Sequence, residues 1–248
     1  TARDVVKDLV RSGRLEIVHA GMVQHDEGLS SIEGALDNLV LGTSYLDSSL
    51  GIRPRTAWQI DSFGHSRDTP VLLSRLGIQN LVASRFPTAI RSAMLSSQSL
   101  EGRWSSPSHP NSTIFVHATS KDSYTIPKGF DEEGRAFLPP SRDQEAQALV
   151  RECRVRASHY RTNNLLLLWG GDAKFRQAER QFERLERVME RVNGNSGEHG
   201  VAVRMASFAE YMDAVRGAEE RGEAELPDLT GLFRNYDDTG DALPYNDE

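Results

Sequence analysis

The chain has 248 residues, 38% hydrophobic and 26% charged, a balance that suits one sizeable folded core rather than a disordered segment. A formal net charge of −7 argues against a nucleic-acid-binding surface. The single cysteine, Cys153, excludes an internal disulfide, and the longest apolar run, Leu165 to Trp169, is strand-sized and too short to span a bilayer.

Short apolar runs alternate with helical patterns along the chain, which is the signature of a parallel-stranded α/β fold. Thr1 to Ser12 carries Val5, Val6, Leu9 and Val10 at helical spacing and stops at Gly13. Nothing there has the charged start, apolar stretch and cleavage site of a signal peptide. Leu15 to Val18 is strand-like. Leu29 to Leu50 predicts a long amphipathic helix through Ile32, Leu36, Leu39, Val40 and Leu46, closed by Gly51. Ala57 to Ile60 is a strand, Asp68 or Thr69 starts a helix to Leu76, and Asn80 to Ser84 is a third strand. Thr113 to His117 is apolar and β-branched. Arg142 to Tyr160 is helical, Leu165 to Leu168 is a buried strand, and Lys174 to Val192 is a charged helix in which Glu183 and Arg187 suit an i,i+4 pair. Val201 to Arg204 is a last strand and Phe208 to Val215 a last helix. Ser96 to Pro110 and Asp122 to Pro140 lack periodicity and are expected to be loops. No internal repeat is present. A chain that opens inside a helix and ends at Pro244-Tyr245-Asn246-Asp247-Glu248 is expected to be part of a larger domain, with residues 1–217 its central portion and 218–248 an irregular C-terminal segment.

Two acids stand where apolar strands give way to small residues. Asp61 follows Thr56 to Ile60 in Trp58-Gln59-Ile60-Asp61-Ser62-Phe63-Gly64-His65-Ser66, and Asp172 follows Leu165 to Leu168 in Trp169-Gly170-Gly171-Asp172. The carboxyl ends of core strands are where α/β proteins meet their substrates. On parallel strands the two acids project from one face, as glycoside hydrolysis by paired carboxylates requires. The alternative for each is to cap the helix that follows it. A nucleotide-binding reading has no glycine-rich phosphate loop after the first strand to support it.

The run Trp58 to Ser66 closely resembles the class II α-mannosidase signature of glycoside hydrolase family 38, W-x-I-D-P-F-G-H-S, with Ser62 in place of Pro. Gly170-Gly171-Asp172-Ala173 is similar to the family's G-x-D-F, with Ala173 in place of Phe, and Tyr160-Arg161-Thr162-Asn163 resembles the run before it. The resemblance extends from about Val5 to Asp247. It implies an incomplete, parallel-stranded (β/α) barrel-like catalytic domain that cleaves α-linked mannose with retention from N-glycans or their degradation products. By this resemblance Asp61 is the nucleophile and a zinc ligand, and Asp172 is the acid/base. Phe63, Arg85 and Tyr124 are the substrate-side residues. His65 and Ser66 orient backbone or cap a helix. Asp26 and Glu27, after Met22 where the family has Trp, match a family acid pair with a structural role, substrate-side placement being the alternative. The remaining zinc ligands, an H-x-D motif and a downstream His, have no counterpart here, so the isolated chain is expected to be inactive. A mannoside-binding protein without hydrolysis is the alternative. The family's compartments are the lysosome, vacuole or Golgi, and Asn111-Ser112-Thr113, in an expected loop, is a glycosylation sequon usable there.

Overall fold

The computed structural model describes residues 1–120, 124–127, 130 and 141–230. Helix α1 (Ala2–Arg11) is capped by Thr1, whose hydroxyl accepts from the Asp4 amide while the Asp4 carboxylate reaches back. Helix α2 (Ile32–Leu50) starts at a Ser31 cap and ends at Gly51, whose φ of 71° is the left-handed stop that glycine adopts without strain. Strand β1 (Thr56–Gln59), helix α3 (Thr69–Arg75), strand β2 (Asn80–Ala83), helix α4 (Thr88–Ser96), strand β3 (Glu101–Ser106) and strand β4 (His109–Ala118) follow. Helices α5 (Arg142–Ala157), α6 (Ala178–Gly194), α7 (Ser196–His199) and α8 (Phe208–Glu220), then strand β5 (Asp228–Thr230), complete the described elements.

The strands form one mixed, mostly parallel sheet in the order β1-β2-β4-β3-β5. β1 pairs parallel with β2, β2 with β4 and β3 with β5, while β3 and β4 form an antiparallel hairpin. The sheet is open among the described residues, so the expected barrel is not closed in them.

Helices cover both faces, and the side-chain alternation of the central strands sorts the core accordingly. Leu81, Ala83, Ile114 and Val116 face one layer with Leu39 of α2, Leu73 of α3 and Met94 of α4. Val82 and Phe115 face the other, against Phe208, Tyr211, Met212 and Val215 of α8.

Several expectations are corrected. Ser96 to Pro110 is not a loop: it holds β3 and the start of β4, so the Asn111 sequon lies on a strand, with Asn111 exposed. The buried positions of β3 are Glu101, Gly102, Trp104 and Ser106, of which only Trp104 is a large apolar residue. Glu101 is buried because His117 Nδ1 lies 2.7 Å from Oε1 and the Tyr211 hydroxyl donates to the same oxygen.

Leu165 to Leu168 is half-buried and Val201 to Arg204 joins no ladder. At Val203 the Asn193 side chain replaces a partner strand, accepting from the Val203 amide and donating to its carbonyl, both at 2.9 Å. Leu15 to Val18 likewise joins no ladder, and the chain touches β1 just beyond it, through His19 N and Thr56 O at 2.7 Å. The segment after Gly217 is regular at its start, where α8 runs on to Glu220 and β5 joins the sheet. Arg103 ties these pieces together, donating to Glu219 at 2.6 Å and Asp228 at 2.8 Å. Residues 122–123, 128–129 and 131–140 of the second expected loop lie outside the described residues, as does 231–248.

Gly42 sets how closely α2 approaches the chain on its way to the site. A Cβ there would collide with the Ala20 carbonyl and with the backbone at Gly21 and Met22. Gly42→Ala is therefore expected to destabilise the protein by about 1–3 kcal/mol, as overpacking against rigid backbone does. Urea unfolding at fixed pH measures this, and an unchanged midpoint would show that the helix yields freely.

Candidate active site

Strand register builds the centre of the site. Gln59 of β1 pairs with Ala83 of β2. Two residues further along each strand, Asp61 and Arg85 therefore emerge side by side. Arg85 donates to Asp61 Oδ1 from Nε at 2.9 Å and from a terminal nitrogen at 2.5 Å. Its guanidinium carbon also stands 4.5 Å from the Phe63 ring centroid, a cation–π contact that fixes its plane. Behind this pair, Arg91 of α4 donates to the carbonyls of Ser84 and Thr119, and the Ser84 and Thr119 hydroxyls share a 2.8 Å bond. One arginine thus pins the carboxyl ends of β2 and β4.

Tyr124 enters from the chain beyond β4. Its hydroxyl lies 3.2 Å from Asp61 Oδ1 and 3.4 Å from Asp172 Oδ1. The two carboxylate oxygens are therefore no farther apart than those two distances laid end to end. A phenol has one proton to donate, so it serves one carboxylate at a time. Burial, then the charges of Asp61 and Asp172, push the Tyr124 phenol above its ordinary value of 10.0, so it stays a donor at neutral pH. The Ile126 amide bonds Gly170 O at 2.9 Å, which seats the tyrosine segment against the run carrying Asp172. Around Asp172 the backbone turns through Gly171 at φ 135°, and Ala173 at φ 53° and Phe175 at φ 63° are strained. Phe175 holds that turn to α6 by stacking on Phe182 at 5.4 Å. Neither acid caps a helix, since α3 begins at Thr69 and α6 at Ala178.

Asp61, Phe63, Arg85, Tyr124 and Asp172 thus share one site at the carboxyl ends of β1, β2 and β4. His65 does not join them: it is buried and stacks on Phe86 at 6.0 Å. The Ser66 amide donates to Glu27 Oε2 at 2.6 Å. Ser62, where the family has Pro, donates its hydroxyl to His25 O at 3.0 Å. Asn38 of α2 is the residue the sequence reading missed. Its amide holds the Val23 main chain at 3.0 Å from both sides, and nothing about a polar position midway along a helix announces it.

Among the described residues, no group of three or more His, Cys, Asp or Glu side chains could hold a metal ion. Asp61 is surrounded instead by an arginine and a phenol on Oδ1. By themselves these residues do not make a zinc site.

Two carboxylates brought together at one end of an α/β sheet are equipment that glycoside hydrolases use. The whole chain, residues 1–248, matches the Glycosyl hydrolases family 38 N-terminal domain, and it belongs to that family. It is 31% identical to Alpha-mannosidase 2 of Drosophila melanogaster, over 95% of this chain and 24% of that protein. It is 30% identical to the Epididymis-specific alpha-mannosidase of Homo sapiens, over 98% and 26%. To the Lysosomal alpha-mannosidase of Dictyostelium discoideum it is 27% identical, over 92% and 24%. The chain therefore spans only 24% to 26% of these relatives. In fold it is similar to the crystal structure of an alpha-mannosidase from Enterococcus faecalis V583, with a TM-score of 0.69 at 20% identity, covering 93% of this chain and 23% of that one. The alpha-amylase AmyC from Thermotoga maritima gives 0.62 at 12% identity, over 96% and 54%.

Two groups behind Asp61 carry opposed proton linkage. Burial raises the Glu27 carboxyl from 4.5 to about 7, against the lowering effect of its bonds from Thr69 and Ser66. Burial also lowers His65 from 6.5 to about 4. Glu27's contribution to stability is present below pH 4.5 and lost as pH rises through about 7, while that of His65 is present above 6.5 and lost as pH falls through about 4. Relative to the unmodified protein, Glu27→Gln should make stability rise more steeply with pH between these limits, and His65→Leu should tilt it the other way. Urea titrations across that range test both signs; parallel curves for all three proteins would contradict the assignment.

Proposed function

We propose that this chain carries the catalytic pair of a retaining α-mannosidase acting on mannose-containing oligosaccharides. Asp61 is the nucleophile and Asp172 the acid/base. The observation that carries the reading is the placing of both carboxylates on one tyrosine hydroxyl. That separation suits the roughly 5 Å of retaining enzymes better than the wider gap that admits a water between the acids in inverting ones.

In the first step an oxygen of Asp61 attacks the anomeric carbon. The glycosidic C–O bond breaks as Asp172 gives its proton to the leaving oxygen. In the second, Asp172 takes a proton from water, the water oxygen attacks the same carbon, and the Asp61 ester bond breaks. Arg85 and Tyr124 bind Asp61 through Oδ1, which leaves Oδ2 for the attack. Arg85 also meets the charge that returns to this carboxylate when the ester breaks. Phe63, with Arg85 against its ring, supplies apolar surface for a sugar face.

A zinc ion at Asp61 belongs to this reading only with further ligands from outside the described residues. When bound, it would supply Lewis-acid contacts to sugar hydroxyls. A complete (β/α) barrel and a lumenal compartment, lysosomal, vacuolar or Golgi, also belong to it, the latter supported by the lysosomal relative. No helix among the described residues is long and apolar enough to cross a membrane.

The test is hydrolysis of an aryl α-mannoside by the complete protein, with and without a chelator, following the anomer first released by NMR. Retention is expected, with Asp61→Asn lowering kcat by about a thousandfold or more, as loss of a nucleophile does. Asp172→Asn should slow poor leaving groups far more than good ones. Mannoside binding without turnover would support the non-catalytic alternative instead.

A further inference from the structure

We propose that the segment His25-Asp26-Glu27 is the positioning clamp of Asp61, with Glu27 its principal positioning residue. This rests on the reading of Asp61 as nucleophile and adds what holds it in place. Asp61 lies beyond the last paired residue of β1, so sheet hydrogen bonds alone do not fix it. From Ser62 to Asp68 the only regular pairing is an isolated β-bridge at His65, and the chain passes through Gly64 at φ 141°.

Four hydrogen bonds tie this stretch and the start of α3 to the three-residue segment. Ser62 donates to His25 O at 3.0 Å and the Phe63 amide to Asp26 Oδ2 at 3.1 Å. The Ser66 amide and the Thr69 hydroxyl both donate to Glu27 Oε2, at 2.6 and 2.5 Å. Phe63 in turn lies under the arginine that holds Asp61.

The clamp is itself anchored. Asp26 Oδ1 accepts from the Gly28 amide at 3.0 Å, Asn38 brackets the Val23 main chain, and Asn38 Nδ2 lies 3.3 Å from His25 Nδ1. Glu27 takes both of these bonds on Oε2, and Gln59 of β1 also interacts with the same carboxyl, favouring its ionised form. A carboxyl drawn this far from water is costly, and two short bonds bridging the nucleophile loop to α3 explain its presence.

The experiment compares Glu27→Ala, Glu27→Gln and Thr69→Val in the complete protein. Glu27→Ala is expected to lower kcat by about 10- to 100-fold while KM moves by less than about threefold, because misplacement of the nucleophile costs the chemical step rather than binding. Glu27→Gln keeps an acceptor oxygen for Ser66 and Thr69 and should restore most of that loss; Thr69→Val should show a smaller loss in kcat. Amide exchange at Phe63 and Ser66 should quicken at least about tenfold in Glu27→Ala. An unchanged kcat in Glu27→Ala overturns the proposal. So does an equal loss in the glutamine variant, or a loss of kcat that merely tracks a lowered melting temperature. If Glu27→Ala does not fold, Thr69→Val decides by the same kcat criterion. If the unmodified protein hydrolyses no mannoside, the nucleophile reading fails by itself, and exchange at Phe63 and Ser66 alone upholds or overturns the clamp.

Discussion

The parallel pairing of β1 with β2 is the constraint on which the site depends. With Gln59 opposite Ala83, the next outward positions on the two strands are an acid and an arginine, and they meet without any loop having to find them. A slip of one residue between them would turn one of the two side chains to the other face of the sheet and part the pair. The register is fixed by the core beneath it. Ala57, Leu81 and Ala83 must all enter one apolar layer while Val82 enters the other, and both layers are roofed by helices. Burial of strands only four residues long thus sets the geometry of a pair that is itself open to solvent, with Asp61 half-exposed at 52%.

Behind the exposed pair stands a polar layer that is unusual for a sheet end. His19, His25, His65 and Gln59 are buried there, and the three histidines are all held toward the neutral form chiefly by burial. Uncharged imidazoles next to Asp26 and Glu27 avoid the cost of burying further charge while still filling space around the loop. Asp26 offsets its own burial by accepting two backbone amides, from Phe63 and Gly28. This layer rigidifies the loop through hydrogen bonds, where a purely apolar one would leave the amides of Phe63 and Ser66 unpaired.

Much of this was legible in the sequence, for identifiable reasons. The acids Asp61 and Asp172 stand out because each ends an apolar run, and Arg85 because it ends another. The α2 helix is legible from its stripe of Leu, Ile and Val. The β3 strand was hidden because its inward residue Glu101 is charged, and only the fold reveals that His117 and Tyr211 come from distant positions to meet it. Leu165 to Leu168 misled in the opposite direction. A continuous apolar run signals burial on both sides, but this one is half-buried and finds no ladder partner among the described residues. The role of Asn38 had no signal at all, since an exposed-looking polar residue in a helix is the commonest thing a helix carries. Tyr124 was legible by resemblance alone, because nothing in its flanks predicts that one hydroxyl would reach two carboxylates.

The two carboxylates are mounted differently, and the difference matches the work proposed for them. Asp61 is held by two arginine nitrogens and a phenol, on a loop tied down at four points, and a nucleophile gains from being fixed along one line of attack. Asp172 projects from a turn with three residues at positive φ, is exposed, and shares only the phenol with its partner. An acid/base must address the leaving oxygen in one step and a water in the next, so a mount with a single phenol contact suits it better than a cage of hydrogen bonds. Tyr124 lies between the two mounts. Its backbone neighbour Ile126 is bonded to Gly170, so a shift of the Asp172 turn reaches the hydroxyl that contacts Asp61. The single phenolic proton can serve only one carboxylate at a time, so the tyrosine links the two acids without their touching.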